Sequence, residues 1–192
     1  MKYMEKNKNI IPELNNETIE SLIFAYEKRL ESIEKRVEIL MDKFSIYRRY
    51  LIKDGKQVET DVAYQEIYKS AKKSIYVIDD YIDVKTLQLL KLCNDNVEII
   101  IITDNKGNYL NNNFINEFKN DTKSNIIFKE NNDKFHERYI VIDFNTNNYS
   151  LYICDVPAKD SYNKITVINT MQEKEVYISL INEVLNNKEL DI

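Results

Sequence analysis

The sequence FHERYIVID, residues 135–143, joins a run of apolar residues to the only histidine of the chain. Its β-branched and aromatic residues predict a strand over residues 139–143. His136 and Arg138 stand just before that strand or at its start, and residues two apart on a strand point to the same face. The stretch therefore predicts an imidazole and a guanidinium side by side at one end of a strand.

These residue types are typical of phosphate chemistry. A guanidinium such as that of Arg138 binds phosphate oxygens through two parallel hydrogen bonds. An imidazole such as that of His136 acts near neutral pH as a nucleophile or a proton carrier. The carboxylate of Asp143 is suited to hold an imidazole in one tautomer. We therefore take His136, Arg138 and Asp143 as candidate catalytic residues.

Short apolar runs alternate with helical patterns on both sides of this stretch. Further strands are predicted over residues 74–79, 97–103, 125–129, 150–154 and 164–169, and helices over residues 61–72, 84–94, 111–120 and 173–186. Strand–helix alternation predicts an α/β layered sheet, and the later run of strands predicts that the sheet is mixed. The predicted fold class is α/β, with a mixed β-sheet flanked by helices in one domain over residues 56–192.

A long periodic pattern precedes that domain. Ten apolar residues between Ile19 and Leu51 follow one another at alternating steps of four and three. This 3.5-residue period predicts a coiled-coil helix over residues 16–52 that dimerises the chain, preceded by a flexible segment, residues 1–15. Additional apolar residues off the seam leave an alternative open, in which a long amphipathic helix packs on its own domain.

Composition narrows the functional classes. The chain has 192 residues and a net charge of −5. Any basic surface that binds nucleic acid must therefore be confined to a small part of the protein. No cluster of His or Cys ligands is present, so we expect neither a metal nor another cofactor. Cys93 and Cys154 are interpreted as buried free thiols.

The longest apolar stretch, residues 97–102, is too short for a bilayer and no secretory signal is visible, so we expect a cytoplasmic protein without a membrane partner.

The run from His136 through Arg138 to Asp143 resembles the HxK(x)4D motif of the phospholipase D superfamily, with Arg138 in the place of the lysine. A wider stretch, residues 55–185, resembles the phospholipase-D-like domain at the C-terminus of bacterial and phage DNA-binding regulatory proteins. The matching segments are residues 71–82, 134–143 and 152–164. The resemblance implies a histidine nucleophile, a phosphohistidine intermediate and a second histidine as the acid. A chain with one motif would have to dimerise to bring two histidines together.

Four further residues complete the predicted site. Lys159 and Asn163 are candidate phosphate-binding residues. They lie in the part of this chain that corresponds to the segment after the motif in the resembling domains. Asp79 and Tyr81 end the first buried strand, where α/β sheets often place ligand groups, and they form a possible pocket. An equally open interpretation is that this segment only caps the helix that begins near Val84.

Two functions follow from these observations. The first is a homodimeric phosphodiesterase that acts on nucleic acid or a nucleotide, with His136 as nucleophile and the His136 of a second copy as acid. The second is a non-catalytic dimeric module for binding or regulation. It is favoured by residues 155–158, DVPA, which stand where the resembling domains have a Gly-x-Ser turn. A third option, an adaptor in a mobile-element or phage-defence system, rests on the resemblance alone.

Overall fold

The computed structural model of the chain describes residues 16–46, 49–53, 55–158 and 164–192, and within the first helix the side chains of residues 18–37. The chain divides into two compact units, residues 1–45 and residues 46–192. The segment 1–15, which the sequence predicts to be flexible, lies outside the described residues. The division into domains at the predicted boundaries therefore stays a prediction.

The described part of the first unit forms one long helix, α1, Asn16–Ile46. Every apolar residue of the predicted seam whose side chain is described within α1 is exposed, from 41% for Ile19 to 63% for Tyr26. Pairing of this helix as a coiled coil stays a prediction. The helix is shorter than predicted, because residues 49–52 leave the helical pattern and form a strand, β1, Arg49–Ile52.

The second unit is built on a seven-stranded sheet in the order β1-β7-β6-β5-β2-β3-β4. Besides β1, its strands are β2 (Ser74–Ile78), β3 (Glu98–Ile102), β4 (Ile126–Lys129), β5 (Arg138–Ile142), β6 (Ser150–Cys154) and β7 (Thr166–Thr170). β2, β3 and β4 are parallel, whereas each of the other neighbouring pairs is antiparallel. The predicted mixed sheet is therefore confirmed.

Helices cover both faces of this sheet. They are α2 (Gln57–Lys69), α3 (Val84–Leu90), α4 (Asn112–Asp121) and α5 (Ile178–Leu185), the last preceded by a 3₁₀ turn, Lys174–Tyr177. Side chains of α2, α3 and α4 pack with Val77 and Ile140 in one buried cluster. Side chains of α5 pack with Ile78 and Val141 in the other. Strands buried on both faces consist of consecutive apolar residues, as in IYVI and IIII of β2 and β3.

Both cysteines are free, as expected. Cys154 is buried at the end of β6, whereas Cys93 is only partly buried, which corrects the interpretation that both thiols are buried. Cys93 follows the end of α3 on the segment toward β3, and neighbouring side chains cover it incompletely. Among the described residues, no helix combines the length and apolar character needed to cross a membrane.

Candidate functional site

One edge of the sheet gathers most of the polar residues that the sequence indicates. Ile78 is paired with Ile102 of β3 and with Tyr139 of β5. Because β2 and β3 are parallel and β5 runs the other way, the ends of β2 and β3 and the beginning of β5 lie at the same edge. The segments after Ile78 and Ile102 and the segment before Arg138 therefore meet there.

Arg138 is the first residue of β5, and its guanidinium contacts three groups of the chain. Its Nε lies 3.5 Å from the Asp79 Oδ1. Its Nη1 donates to the backbone oxygen of Asp155 at 3.3 Å, and its Cζ lies 5.7 Å from the centre of the Tyr81 ring. The Nε atom is buried and makes no well-aligned hydrogen bond. The structure thus brings Asp79 and Tyr81, which the sequence indicated only as a possible pocket, together with Arg138.

The carboxyl group of Asp79 is buried behind this guanidinium, with 7% of the residue exposed. Burial raises the pKa of Asp79 to about 6, and the Tyr81 N–H and the Arg138 charge offset part of that rise. The Tyr81 N–H donates to the Asp79 Oδ1 at 2.9 Å. The carboxyl group of Asp79 therefore changes its charge just below neutral pH, and it contacts the guanidinium of Arg138.

We expect the Asp79→Asn variant to differ from the wild type in how its stability depends on pH. The folded pKa of Asp79 lies above its unfolded value of about 4, so the folded state binds the proton more tightly. The group therefore contributes stability at low pH that is lost as the pH rises from about 4 to 6, by at most about 3 kcal/mol. Urea unfolding of both proteins between pH 4 and pH 8 measures this. Parallel pH profiles for the two proteins would show that Asp79 does not titrate in this way.

His136 lies in the segment between β4 and β5 and is exposed. It stands between Phe135, which is buried, and the start of β5 at Arg138, so its backbone is fixed on both sides. The structure gives its imidazole no hydrogen bond to the described residues. Asp133 lies near enough to be affected by it: the pKa of Asp133 is lowered mainly by Lys106 and least by His136. The imidazole is therefore open to a ligand from solution.

Asp143 does not reach the imidazole, which corrects the expectation that it orients His136. Asp143 stands five positions after Arg138, a distance of roughly 16 Å at the usual rise of a strand. Its carboxylate instead accepts hydrogen bonds from the backbone N–H groups of residues 72, 73 and 74, at 2.7 to 3.2 Å. Asp143 is 1% exposed and has a φ of 51°. It fixes the corner where β2 begins and β5 ends.

The segment after β6 is described only up to Ala158. Lys159 and Asn163, the predicted phosphate-binding residues, lie outside the described residues. Asp155 extends the pairing of β6 with β7: its N–H donates to the Val167 oxygen at 3.2 Å and its Oδ1 accepts from the Val167 N–H at 2.9 Å. Because its backbone oxygen also accepts from Arg138, the segment after β6 helps to hold the guanidinium in place.

A second polar cluster at the same edge was not found from the sequence. Single carboxylate oxygens of Asp80, Asp104 and Asp133 lie within 4.8 Å of one another. The amino group of Lys106 forms ion pairs with Asp80 at 2.7 Å and with Asp133 at 2.5 Å, so a side chain of the protein supplies positive charge to this group. The sequence did contain one indication of this cluster, which is the position of two of its members. Asp80 and Asp104 each come two residues after the end of a parallel strand.

No family model matches the chain, and no curated protein matches it. Among solved structures, NucT from Helicobacter pylori is similar over 76% of this chain and 99% of its own, with 12% identity and a TM-score of 0.51. The archaeal chromatin protein TrmBL2, described with a novel mode of DNA binding, gives 16% identity over 91% and 68% of the chains, with a TM-score of 0.47. Polyphosphate kinase from Porphyromonas gingivalis gives 11% identity over 72% and 22%, with a TM-score of 0.42. At such identities, the likeness to NucT concerns the fold alone.

Proposed function

We propose that the chain is a phospholipase-D-like phosphodiesterase that acts on nucleic acid or a nucleotide with His136 as its nucleophile. The observation that carries this proposal is the pair formed by an exposed histidine and, two residues later, an arginine held at the edge of the sheet beside a buried carboxyl group. Exposure allows a phosphorus atom to approach the imidazole, and Arg138 places a fixed positive charge next to that approach.

The reaction requires only groups that the chain supplies. An imidazole nitrogen of His136 attacks phosphorus and the bond to one ester oxygen breaks, which leaves a phosphohistidine. The departing oxygen takes a proton from the His136 imidazolium of a second copy. Water then attacks phosphorus, gives its proton to the second imidazole, and the P–N bond breaks. Arg138 neutralises the phosphate oxygens in both steps, in a role suited to a planar guanidinium.

Tyr81 supports a nucleotide or a nucleic acid strand as the substrate. Tyr81 is 40% exposed, and its ring lies beside the Arg138 guanidinium. An aromatic ring next to a cation that binds phosphate is a common arrangement for stacking a base while the backbone is held. Because the chain is acidic as a whole, we expect this contact to involve a few phosphates rather than a broad basic surface.

The proton donor requires a dimer, and the proposed contact is the apolar seam of α1. Leu30 and Ile23 are 58% and 52% exposed in the single chain. Light scattering of the full chain is expected to give a dimer, and the double change Ile23→Glu with Leu30→Glu is expected to give a monomer with little turnover. Ser32→Glu adds a charge to the same helix off the seam and should stay dimeric. A monomeric wild type that turns over substrate would refute the proposed acid.

The function itself is tested by turnover without metal. The wild-type chain is incubated in EDTA with bis(p-nitrophenyl) phosphate, single-stranded DNA, double-stranded DNA and RNA. We expect release of nitrophenol and cleavage of at least one nucleic acid. If none of these substrates is cleaved by the folded dimer, with or without added divalent metal, the proposal fails.

A second candidate function is a module that binds a phosphate-bearing ligand without cleaving it. It is favoured by two contacts of Arg138: the Asp79 carboxyl group offsets part of its charge, and the Asp155 backbone oxygen takes one of its N–H donors. In that case the wild type and His136→Ala bind a labelled oligonucleotide equally, and neither cleaves it. Cleavage that depends on His136 excludes this alternative.

A further inference from the structure

The segment that carries His136 is tied to the sheet by a buried amide. Asn131 follows β4 and is completely buried. Its side-chain oxygen accepts from the Phe135 N–H at 3.1 Å, and its Nδ2 donates to the Phe135 oxygen at 2.8 Å. One side chain therefore satisfies both backbone groups of the residue immediately before His136, much as a neighbouring strand would do.

The amide of Asn131 is itself held in place. Its Nδ2 also donates to the Asp80 Oδ1 at 3.0 Å. The same oxygen accepts from the Asp104 N–H at 3.0 Å, and the other oxygen of Asp80 pairs with Lys106. Asp80 is buried, follows the end of β2 and is bonded to the segment after β3. It therefore fixes Asn131 relative to the ends of these two parallel strands.

Asp104 holds the turn between Asn131 and His136. Its Oδ1 accepts from the N–H groups of Asn131 and Asn132, both at 2.8 Å, and its Oδ2 accepts from the Asp133 N–H at 2.9 Å. Asn132 and Asp133 both have a φ of 53°, a left-handed conformation that asparagine and aspartate adopt more readily than other side chains. The residues of the turn therefore favour its conformation, and Asp104 ties the turn to the segment that follows β3.

We propose that Asn131, held by Asp80, is a positioning residue that fixes the backbone at Phe135 and thereby the direction in which His136 presents its imidazole. The consequence for turnover rests on the proposed function, whereas the consequence for the backbone does not. Fully bonded buried networks of this kind make a site rigid, since each member restricts the next. A nucleophile must be held in line with phosphorus, and small displacements are costly to the rate.

The test compares Asn131→Ala with Asn94→Ala in the full chain. Asn94 is a suitable control because its Nδ2 also donates to two backbone oxygens, those of Lys69 at 2.9 Å and Ala71 at 2.7 Å. Those oxygens precede β2 and lie at the opposite edge of the sheet. Both variants lose an amide that bridges backbone groups, but only one of the two amides is next to His136. Asn131→Ser, whose hydroxyl can hold a water in the vacated space, replaces alanine if too little of that variant folds.

Two measurements decide the positioning role without any turnover. The chain has one histidine, so its imidazole carbons give a single assignable set of NMR signals. We expect Asn131→Ala to shift and broaden these signals and to speed hydrogen exchange of the Phe135 N–H by at least about tenfold, because that N–H loses its acceptor. Asn94→Ala should leave both unchanged. Wild-type signals and exchange in Asn131→Ala would overturn the proposal.

Turnover adds a third measurement. In Asn131→Ala we expect kcat to fall about 10- to 100-fold while KM changes less than threefold, since a misdirected nucleophile affects the chemical step more than binding. An equal loss of kcat in Asn94→Ala would show that general destabilisation is the cause and would overturn the role of Asn131 in catalysis. If the wild type itself has no turnover, the proposed function fails, and the NMR signals and the exchange rate still decide whether Asn131 positions His136.

Discussion

His136→Ala is expected to lower the turnover of a phosphodiester at least about 1000-fold and to leave the fold unchanged. The large effect follows from the proposed covalent step, because removing the nucleophile removes the pathway and leaves only the binding contribution. The fold should tolerate the change, since His136 is exposed and has no hydrogen bond to the described residues. Initial rates with bis(p-nitrophenyl) phosphate and urea unfolding of the same preparations give the two quantities.

Glu137→Gln is the matched control for that change. Glu137 is the exposed neighbour of His136 in the same segment, and its substitution removes one charge without removing the imidazole. We expect its rate to stay within about threefold of the wild type, as for an exposed group that touches no reacting atom. If His136→Ala keeps more than a tenth of the wild-type rate, the histidine is not the nucleophile.

Asp143→Ala is expected to lower the free energy of unfolding by about 3 to 5 kcal/mol. Three backbone N–H groups lose their charged acceptor, and each buried unsatisfied donor costs about 1 to 3 kcal/mol where water cannot replace the carboxylate. The left-handed backbone at Asp143 adds about 1 kcal/mol, because alanine adopts it less readily than aspartate. Urea unfolding with an unchanged slope measures the loss.

Asp143→Asn distinguishes the two roles considered for this residue. Asparagine keeps an oxygen acceptor and tolerates the left-handed conformation, so we expect it to retain more than half of the lost stability. Its turnover, measured where both proteins are fully folded, should equal that of the wild type. If either variant lost much of its turnover without losing stability, Asp143 would have a role in catalysis near His136.

The sequence predicted the central strands well because burial on both faces leaves a simple pattern. β2, β3, β5 and β6 were each placed within one residue at either end, and the order of strands and helices was sufficient for a mixed sheet. β1 was missed because Leu51 continues the 3.5-residue period of the preceding helix. What makes residues 49–52 a strand is pairing with β7, more than 110 residues away, and no local pattern reports such a contact.

The candidate site was predicted where neighbours in the sequence are also neighbours in space. His136 and Arg138 stand two residues apart, and Asp79 and Tyr81 were indicated by their place at the end of a strand. Asp143 was assigned a role near His136 because the motif contains both, yet its partners are the amides of residues 72–74. The hydrogen bond that links Asn131 to Asp80, 51 residues away, likewise depends on which strand ends meet.

The most direct test of the proposed mechanism is detection of the covalent intermediate on His136. The wild-type chain is mixed with bis(p-nitrophenyl) phosphate in EDTA, quenched in alkali within one turnover, and analysed by intact mass and peptide mapping. If His136 is the nucleophile and the His136 of the second copy is the acid, one nitrophenyl phosphate adduct forms per active dimer, located at residue 136 and absent from His136→Ala, with a matching burst of nitrophenol. Steady release of nitrophenol with no adduct, at the same rate in His136→Ala, would contradict this mechanism.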